Sequence, residues 1–188
     1  MIKLVVGLQN PGSQYEATRH NAGAWVVQAL AAKHHAPFKV EKKLQGSMAS
    51  LMHAGSSIKL FLPSTFMNHS GQAVRAACDF YQIQPNEILV VHDELDLPVG
   101  AMRLKSSGGH GGHNGLRDMI RHFNDSSFHR LRIGIGHPGH KDQVVDYVLS
   151  RPSAAEQLAL NQQVQQAVDD FAVILDGDLA AAMRVFNS

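Results

Sequence analysis

Ile88-Leu89-Val90-Val91 runs directly into His92-Asp93-Glu94, and the reading of this stretch decides the fold. Four consecutive apolar residues, three of them β-branched, fit a strand covered on both faces, as in the interior of a parallel sheet. The polar residues at its carboxyl end then lie where open α/β sheets form their crevice. Upstream, Pro85-Asn86 separates this strand from a helix expected over Gly71 to Gln82, capped by Ser70, with Ala73, Val74, Ala77, Phe80 and Tyr81 at three- and four-residue spacings.

The same patterns extend in both directions. Residues 2 to 8 form a short, mostly apolar run halted by Gln9-Asn10-Pro11-Gly12, which reads as a buried strand entering a turn. A helix is expected from near Asn21 to His35, followed by a polar, basic stretch from Ala36 to Ser47. Met48 to His53 and Ile58 to Leu62 read as a hairpin joined at Ala54-Gly55-Ser56-Ser57. Gly100 to Lys105 reads as a further strand. After a glycine-rich loop at Ser106 to His113, a helix is expected over Leu116 to Phe123. Phe128 to Ile135 is then expected to alternate outward His129, Arg130 or Arg132 with inward Leu131, Ile133 and Ile135. Ser153-Ala154-Ala155-Glu156 has capping-box spacing and opens a helix reaching Gly177, with a last helix over Leu179 to Phe186. Strands alternating with helices, broken by one hairpin, predict an α/β fold: residues 1–188 as one domain, with a twisted, mixed, mostly parallel sheet flanked by helices.

Composition narrows the function. A chain of 188 residues buries enough apolar surface to need neither metal nor disulfide for stability. The single Cys78, on an expected helix face, reads as a packed, inert thiol. No apolar run has signal or membrane-spanning length, so a cytoplasmic location is expected. Net charge is +1, but it is unevenly placed. Residues 95–141 carry seven Lys or Arg against three Asp or Glu, whereas residues 142–188 carry two against seven. A basic middle segment suits a local anionic partner.

Candidate chemistry gathers at strand ends. Asn10 follows the first strand, Asn68 follows the hairpin, Asp93 ends the central strand, His20 precedes the first helix and Asn114 follows the glycine loop. A histidine accepts a proton from water near neutral pH when a carboxylate fixes its tautomer, which Asp93 is suited to do for His20. Carboxamides hold an ester or peptide carbonyl without adding charge. The twelve histidines include the pairs His110/His113 and His137/His140, but none forms His-Glu-x-x-His and no cysteine cluster accompanies them, so no metal is expected. Gly108-Gly109-His110-Gly111-Gly112-His113-Asn114-Gly115 lacks the lysine-serine ending of a P-loop. Its glycines are read instead as allowing close approach and mobility beside a bulky substrate.

Taken together, Gly7-Leu8-Gln9-Asn10-Pro11-Gly12, Tyr15 and Thr18-Arg19-His20-Asn21-Ala22-Gly23 resemble the opening signature of the bacterial peptidyl-tRNA hydrolase family. So do Pro63-Ser64-Thr65-Phe66-Met67-Asn68-His69-Ser70-Gly71, His92-Asp93-Glu94-Leu95-Asp96-Leu97-Pro98, the glycine loop through Leu116, and Arg130-Leu131-Arg132-Ile133-Gly134-Ile135-Gly136. The resemblance covers about residues 3 to 149. It departs at Ser107, where another glycine is expected, and in the acidic tail.

The resemblance implies hydrolysis of the ester between a peptide and the terminal ribose of tRNA, recycling prematurely released peptidyl-tRNA. It implies His20 as catalytic base, Asp93 as its support and Asn10 as the residue that recognises the peptide. Tyr15, Phe66, Met67, Asn68 and Asn114 are implied as substrate-binding, and Lys105 and Arg132 as tRNA phosphate-binding. It further implies no cofactor, peptidyl-tRNA as the partner without an obligate protein partner, and a monomer. Another α/β hydrolase or peptidase would keep the His20–Asp93 pair but not discriminate tRNA esters, and a nonenzymatic RNA-binding module would leave that pair dispensable.

Overall fold

The computed structural model describes all residues, Met1–Ser188. Strands β1 (Leu4–Gly7), β2 (Lys39–Glu41), β3 (Gly46–His53), β4 (Ser56–Pro63), β5 (Ile88–Glu94), β6 (Met102–Ser106) and β7 (His129–Gly134) form one sheet. Their order is β2-β3-β4-β1-β5-β7-β6. β4, β1, β5 and β7 run parallel in the middle, while β2, β3 and β6 pair antiparallel at the edges. The helices are α1 (Ala22–Lys33), α2 (Ser70–Tyr81), α3 (Asn114–Phe123), α4 (Val144–Val148), α5 (Ala154–Leu175) and α6 (Leu179–Phe186).

Strand alternation divides the core into two layers. Val5, Leu89, Val91, Leu131 and Ile133 pack with α1, α5 and α6 on one face. Leu4, Val6, Ile88 and Val90 pack with α2 and α3 on the other. With both faces covered, β1 and β5 can be apolar at every central position, which is why their sequences show no alternation. Cys78 lies buried in the second layer, where burial pushes its thiol up to about 12.

Several expectations change. Ala36 to Ser47 is structured: it supplies edge strand β2, a 3-10 turn at Lys42–Leu44 and the start of β3. Polar, exposed Lys39 and Glu41 suit an unpaired edge, and the apolar residues that do pack, Ala36, Phe38 and Leu44, are too widely and irregularly spaced to show a period. Ser70 does not cap α2; its hydroxyl donates to the Met67 carbonyl, and His69 occupies the cap position. Arg130 does not face outward. It is 2% exposed, stacks on Phe128 and donates to the carbonyls of Gly108, Gly109 and Ser126, holding the root of the glycine loop. α4 had no periodic signal because it has only five residues. The hairpin stands with a tighter turn, Ala54 and Gly55 both at positive φ, while Ser56 and Ser57 already pair within β4. The Ser153–Glu156 capping box stands as read.

Two glycines position the future site. Gly7 ends β1 and Gly23 opens α1; a Cβ on Gly7 would come within 2.9 Å of the Ala24 Cα, and one on Gly23 would overlap the Val91 carbonyl. Their bare backbones let α1 sit directly on the carboxyl ends of β1 and β5, which brings the preceding 3-10 turn, Arg19–Asn21, over those ends. Gly23→Ala should therefore destabilise the fold by about 1–3 kcal/mol, although alanine is the better helix former. Denaturant midpoints of the two proteins measure this, and an unchanged or raised midpoint would contradict the close packing.

Candidate active site

The carboxyl ends of β1 and β5, the turn before α1, the turn before α2, the start of α3 and α4 enclose a cleft of about 330 Å³. Asn10, Tyr15, His20, Phe66, Met67, Asn68, Asp93 and Asn114 all line it. Eight residues chosen from four separated motifs thus meet in one place. Lys105 and Arg132 lie elsewhere, in a neighbouring polar cleft of about 270 Å³ beside the glycine loop.

His20 and Asp93 are buried and joined, Nδ1 to Oδ2, at 2.8 Å. A third residue completes the group: His113 Nε2 lies 2.8 Å from Asp93 Oδ1. His113 is the N-cap of α3, and its Nδ1 accepts the amides of Gly115 and Leu116 at 3.1 and 3.3 Å. An accepting Nδ1 carries no proton, so the proton of neutral His113 sits on Nε2 and is donated to Asp93. Asp93 then has Oδ2 for His20, whose Nδ1–H donates to it and whose Nε2 keeps its lone pair toward the cleft. Burial alone would lower the His20 pKa, but the Asp93 charge and hydrogen bond prevail and raise it above the ordinary 6.5. Burial would raise Asp93, yet His20 and then His113 hold its carboxyl well below the usual carboxylate range.

Asn10 is fixed just as firmly. Its Oδ1 accepts the Met67 amide at 2.7 Å, while its backbone N–H and carbonyl pair with the Asn21 carboxamide, each at 2.9 Å. The donor at Met67 identifies the oxygen end of the Asn10 side chain, leaving Nδ2 as the free donor within the cleft. Asn114 Oδ1 accepts from Arg117, which likewise leaves its amide nitrogen free. Asn68 is exposed and makes no side-chain hydrogen bond within the protein. Tyr15 meets Phe66 edge-on at 6.2 Å, and Val144, Val145, Val148 and Leu149 add an apolar wall to the same cleft.

Sequence reasoning treated His113 only as half of a spacing pair and did not single out Asn21, Arg19, Glu94 or the α4 wall. Histidine is not among the preferred N-caps, so the α3 boundary gave no hint of its role. His92 is turned to the other face of β5. Its Nδ1 donates to the Asp93 carbonyl, and burial with the neighbouring His113 pushes its pKa to about 4, leaving it neutral. The donor atoms of His20, Asp93 and His113 lie within 4.8 Å of one another, a spacing compatible with a metal. His20 Nδ1 and both nitrogens of His113 are, however, already committed to Asp93 and to the α3 amides, which leaves His20 Nε2 as the one free imidazole nitrogen of the three residues.

In the neighbouring cleft the cations differ in availability. Arg132 Nε donates to Glu94 at 2.9 Å, while its two terminal nitrogens have no partner in the protein. Lys105 is exposed and unpaired. Arg130 is spent on carbonyls; burial lowers it to about 10, so it remains charged at neutral pH.

The family model for peptidyl-tRNA hydrolase matches residues 4–188. The peptidyl-tRNA hydrolase of Legionella pneumophila subsp. pneumophila (strain Philadelphia 1) is 54% identical over 188 residues, spanning 100% of both chains. That of Haemophilus influenzae (strain 86-028NP) is 49% identical over 188 residues, spanning 100% of this chain and 97% of its own. The crystal structure of peptidyl-tRNA hydrolase from Acinetobacter baumannii is 46% identical, superposes with a TM-score of 0.96, and covers 100% of this chain and 95% of that one. No helix is long and apolar enough to cross a membrane.

Proposed function

Because the chain belongs to the peptidyl-tRNA hydrolase family, and so hydrolyses the ester joining a peptide to tRNA, we propose that His20 is the general base of that reaction. The observation that carries this reading is the His20–Asp93–His113 chain of hydrogen bonds, which leaves Nε2 of His20 as the one uncommitted imidazole nitrogen of the chain. Nε2 takes a proton from water, and the resulting hydroxide adds to the ester carbonyl. The Asn10 amide donates to the developing oxyanion. When the tetrahedral species collapses, the carbon–oxygen bond to the ribose breaks and the imidazolium returns its proton to the departing ribose oxygen. Water is consumed, free peptide and tRNA are formed, and no covalent enzyme intermediate intervenes.

Asn68 and Asn114, both lining the cleft, position the substrate, and Tyr15, Phe66 and Met67 contact the peptide end. A nonenzymatic RNA-binding role would give no use to a buried carboxylate that pins two imidazoles. Purified peptidyl-tRNA tests the reading directly: the expected products are intact tRNA and free peptide.

Metal is not required in this scheme, because a metal at His20, Asp93 and His113 would displace the protons that hold the group together. Exhaustive chelation is expected to leave single-turnover rates unchanged in protein verified metal-free. Activity lost and then restored by one equivalent of a metal would overturn this reading.

Lys105 and the free end of Arg132 are assigned to phosphate. Each contact should contribute a slope of about 0.7 to the dependence of log affinity on log salt, by analogy with single strands. Lys105→Ala and Arg132→Ala should weaken peptidyl-tRNA binding and flatten that slope, while hydrolysis of a minimal ester without the tRNA body changes little. Unchanged slopes, or equal losses on both substrates, would move the phosphate surface elsewhere.

A further inference from the structure

We infer that Arg19 is a positioning residue that ties the apolar wall of the cleft to the turn carrying His20, and through that wall sets how well a bulky, apolar peptide end is held. This rests on the cleft being the peptide site.

Arg19 sits immediately before His20 in the same 3-10 turn, and its side chain is 9% exposed. Its polar contacts lead to one segment of the chain, more than a hundred residues away. The backbone N–H donates to the Ser150 carbonyl at 3.0 Å. Nη1 donates to the Tyr147 carbonyl at 3.1 Å and to the Ser150 hydroxyl at 2.5 Å, and Nη2 pairs with Glu156 at 3.0 Å. The guanidinium lies 4.0 Å over the Tyr147 ring, whose hydroxyl donates to the Ile135 carbonyl at 2.5 Å. The same Glu156 oxygen accepts the Ser153 amide in the α5 capping box. One planar fork thus links the base-bearing turn to the end of α4 and the start of α5.

α4 needs such a tether. It has five residues, too few for an independently stable helix, and it packs chiefly against its own flanking turn and against Arg19–Asn21. Val148 alone is fully seated in the core, with Val144 and Tyr147 against it, while Val145 is 64% and the following Leu149 38% exposed at a cleft that also contains Phe66, 52% exposed. One core side chain anchors α4, so the placement of its exposed Val145 and of Leu149 depends on the contacts at its carboxyl end that Arg19 supplies. Burying an apolar side chain against these residues would supply affinity, provided the wall stays in register with Phe66.

The experiment compares two N-acetylated esters on one tRNA, glycyl and leucyl, with the wild type, Arg19→Gln, Arg19→Lys and Val145→Ser. The wild type is expected to show the lower KM for the leucyl ester. In Arg19→Gln the leucyl KM should rise about 10-fold while the glycyl KM changes much less, the size expected when a pocket loses its grip on a small apolar group. Lysine keeps the charge toward Glu156 but not the fork, so Arg19→Lys should recover part of the loss and serves as the test variant if glutamine prevents folding. If Arg19 acts through the wall, its penalty and that of Val145→Ser should be less than additive in the double variant. Equal KM changes on both esters, a loss confined to thermal stability, or strict additivity would overturn the proposal. A wild type without leucyl preference would instead refute the peptide-site reading on which it rests, a result that needs no Arg19 variant.

Discussion

His20→Ala is expected to lower the single-turnover rate by about 100- to 10,000-fold, the range usually supplied by a general base. The fold should survive, because the side chain lies at the cleft, outside both apolar layers. Binding of peptidyl-tRNA should be largely kept, since Lys105, Arg132 and the apolar wall are untouched. The loss would then appear in kcat more than in KM. In the unaltered protein, activity needs neutral His20, whose pKa lies above 6.5. Turnover should therefore fall as pH drops through that raised value and level off above it. Near-normal chemistry in folded His20→Ala protein would remove the imidazole from the mechanism.

Asp93→Asn is expected to be about as damaging, and the cause lies in His113. Because the α3 amides occupy Nδ1 of His113, its Nε2–H must find an acceptor, and the only oxygen of an asparagine would be turned toward it. The asparagine NH2 would then face His20 Nδ1 as a donor. His20 would have to accept at Nδ1 and carry its proton on Nε2, the nitrogen that must be empty to take a proton from water. A comparable aspartate-to-asparagine change behind a catalytic histidine costs roughly 10,000-fold in turnover by placing the imidazole in the wrong tautomer. Loss of the negative charge should also move the acid limb of any residual activity to lower pH, because that charge is what raises His20. A variant that kept wild-type rate and pH profile would show that the carboxylate does not orient the base. His113→Leu in the Asp93→Asn background separates the two effects: with Nε2–H gone, the carboxamide can rotate and offer its oxygen to His20, so part of the rate should return.

Legibility in the sequence followed the range of the interaction involved. The buried strand at Ile88–Val91, the hairpin at Ala54-Gly55 and the Ser153–Glu156 box rest on neighbours a few residues apart, and the structure contains all three. Arg130 failed for the opposite reason. An arginine in an alternating strand is polar by composition, and only the carbonyls of Gly108, Gly109 and Ser126, together with the Phe128 ring, create a buried place for it. β2 escaped notice because this three-residue edge strand exposes all of its side chains, Lys39, Val40 and Glu41, so it is held by pairing with β3 and leaves no periodic trace.

The candidate site divides along the same line. Motifs at strand ends marked Asn10, His20, Asn68, Asp93 and Asn114 as candidates, because the ends of parallel strands are where an α/β sheet leaves its crevice. What each candidate can do depends on partners remote in sequence. Met67 fixes which end of Asn10 donates, the α3 amides fix the tautomer of His113, and His113 shares Asp93 with His20 across separations of 20 and 73 residues. By itself, then, the sequence determined the α/β class, the family and the residue types available at the sheet's edge, since these follow from local hydrophobic pattern and motif order. The tertiary structure alone decided which nitrogen of His20 is free, which donor of Asn10 is unspent and which arginines remain available. A hydrogen bond commits a lone pair or a proton, and that commitment exists only once the distant partner is in place.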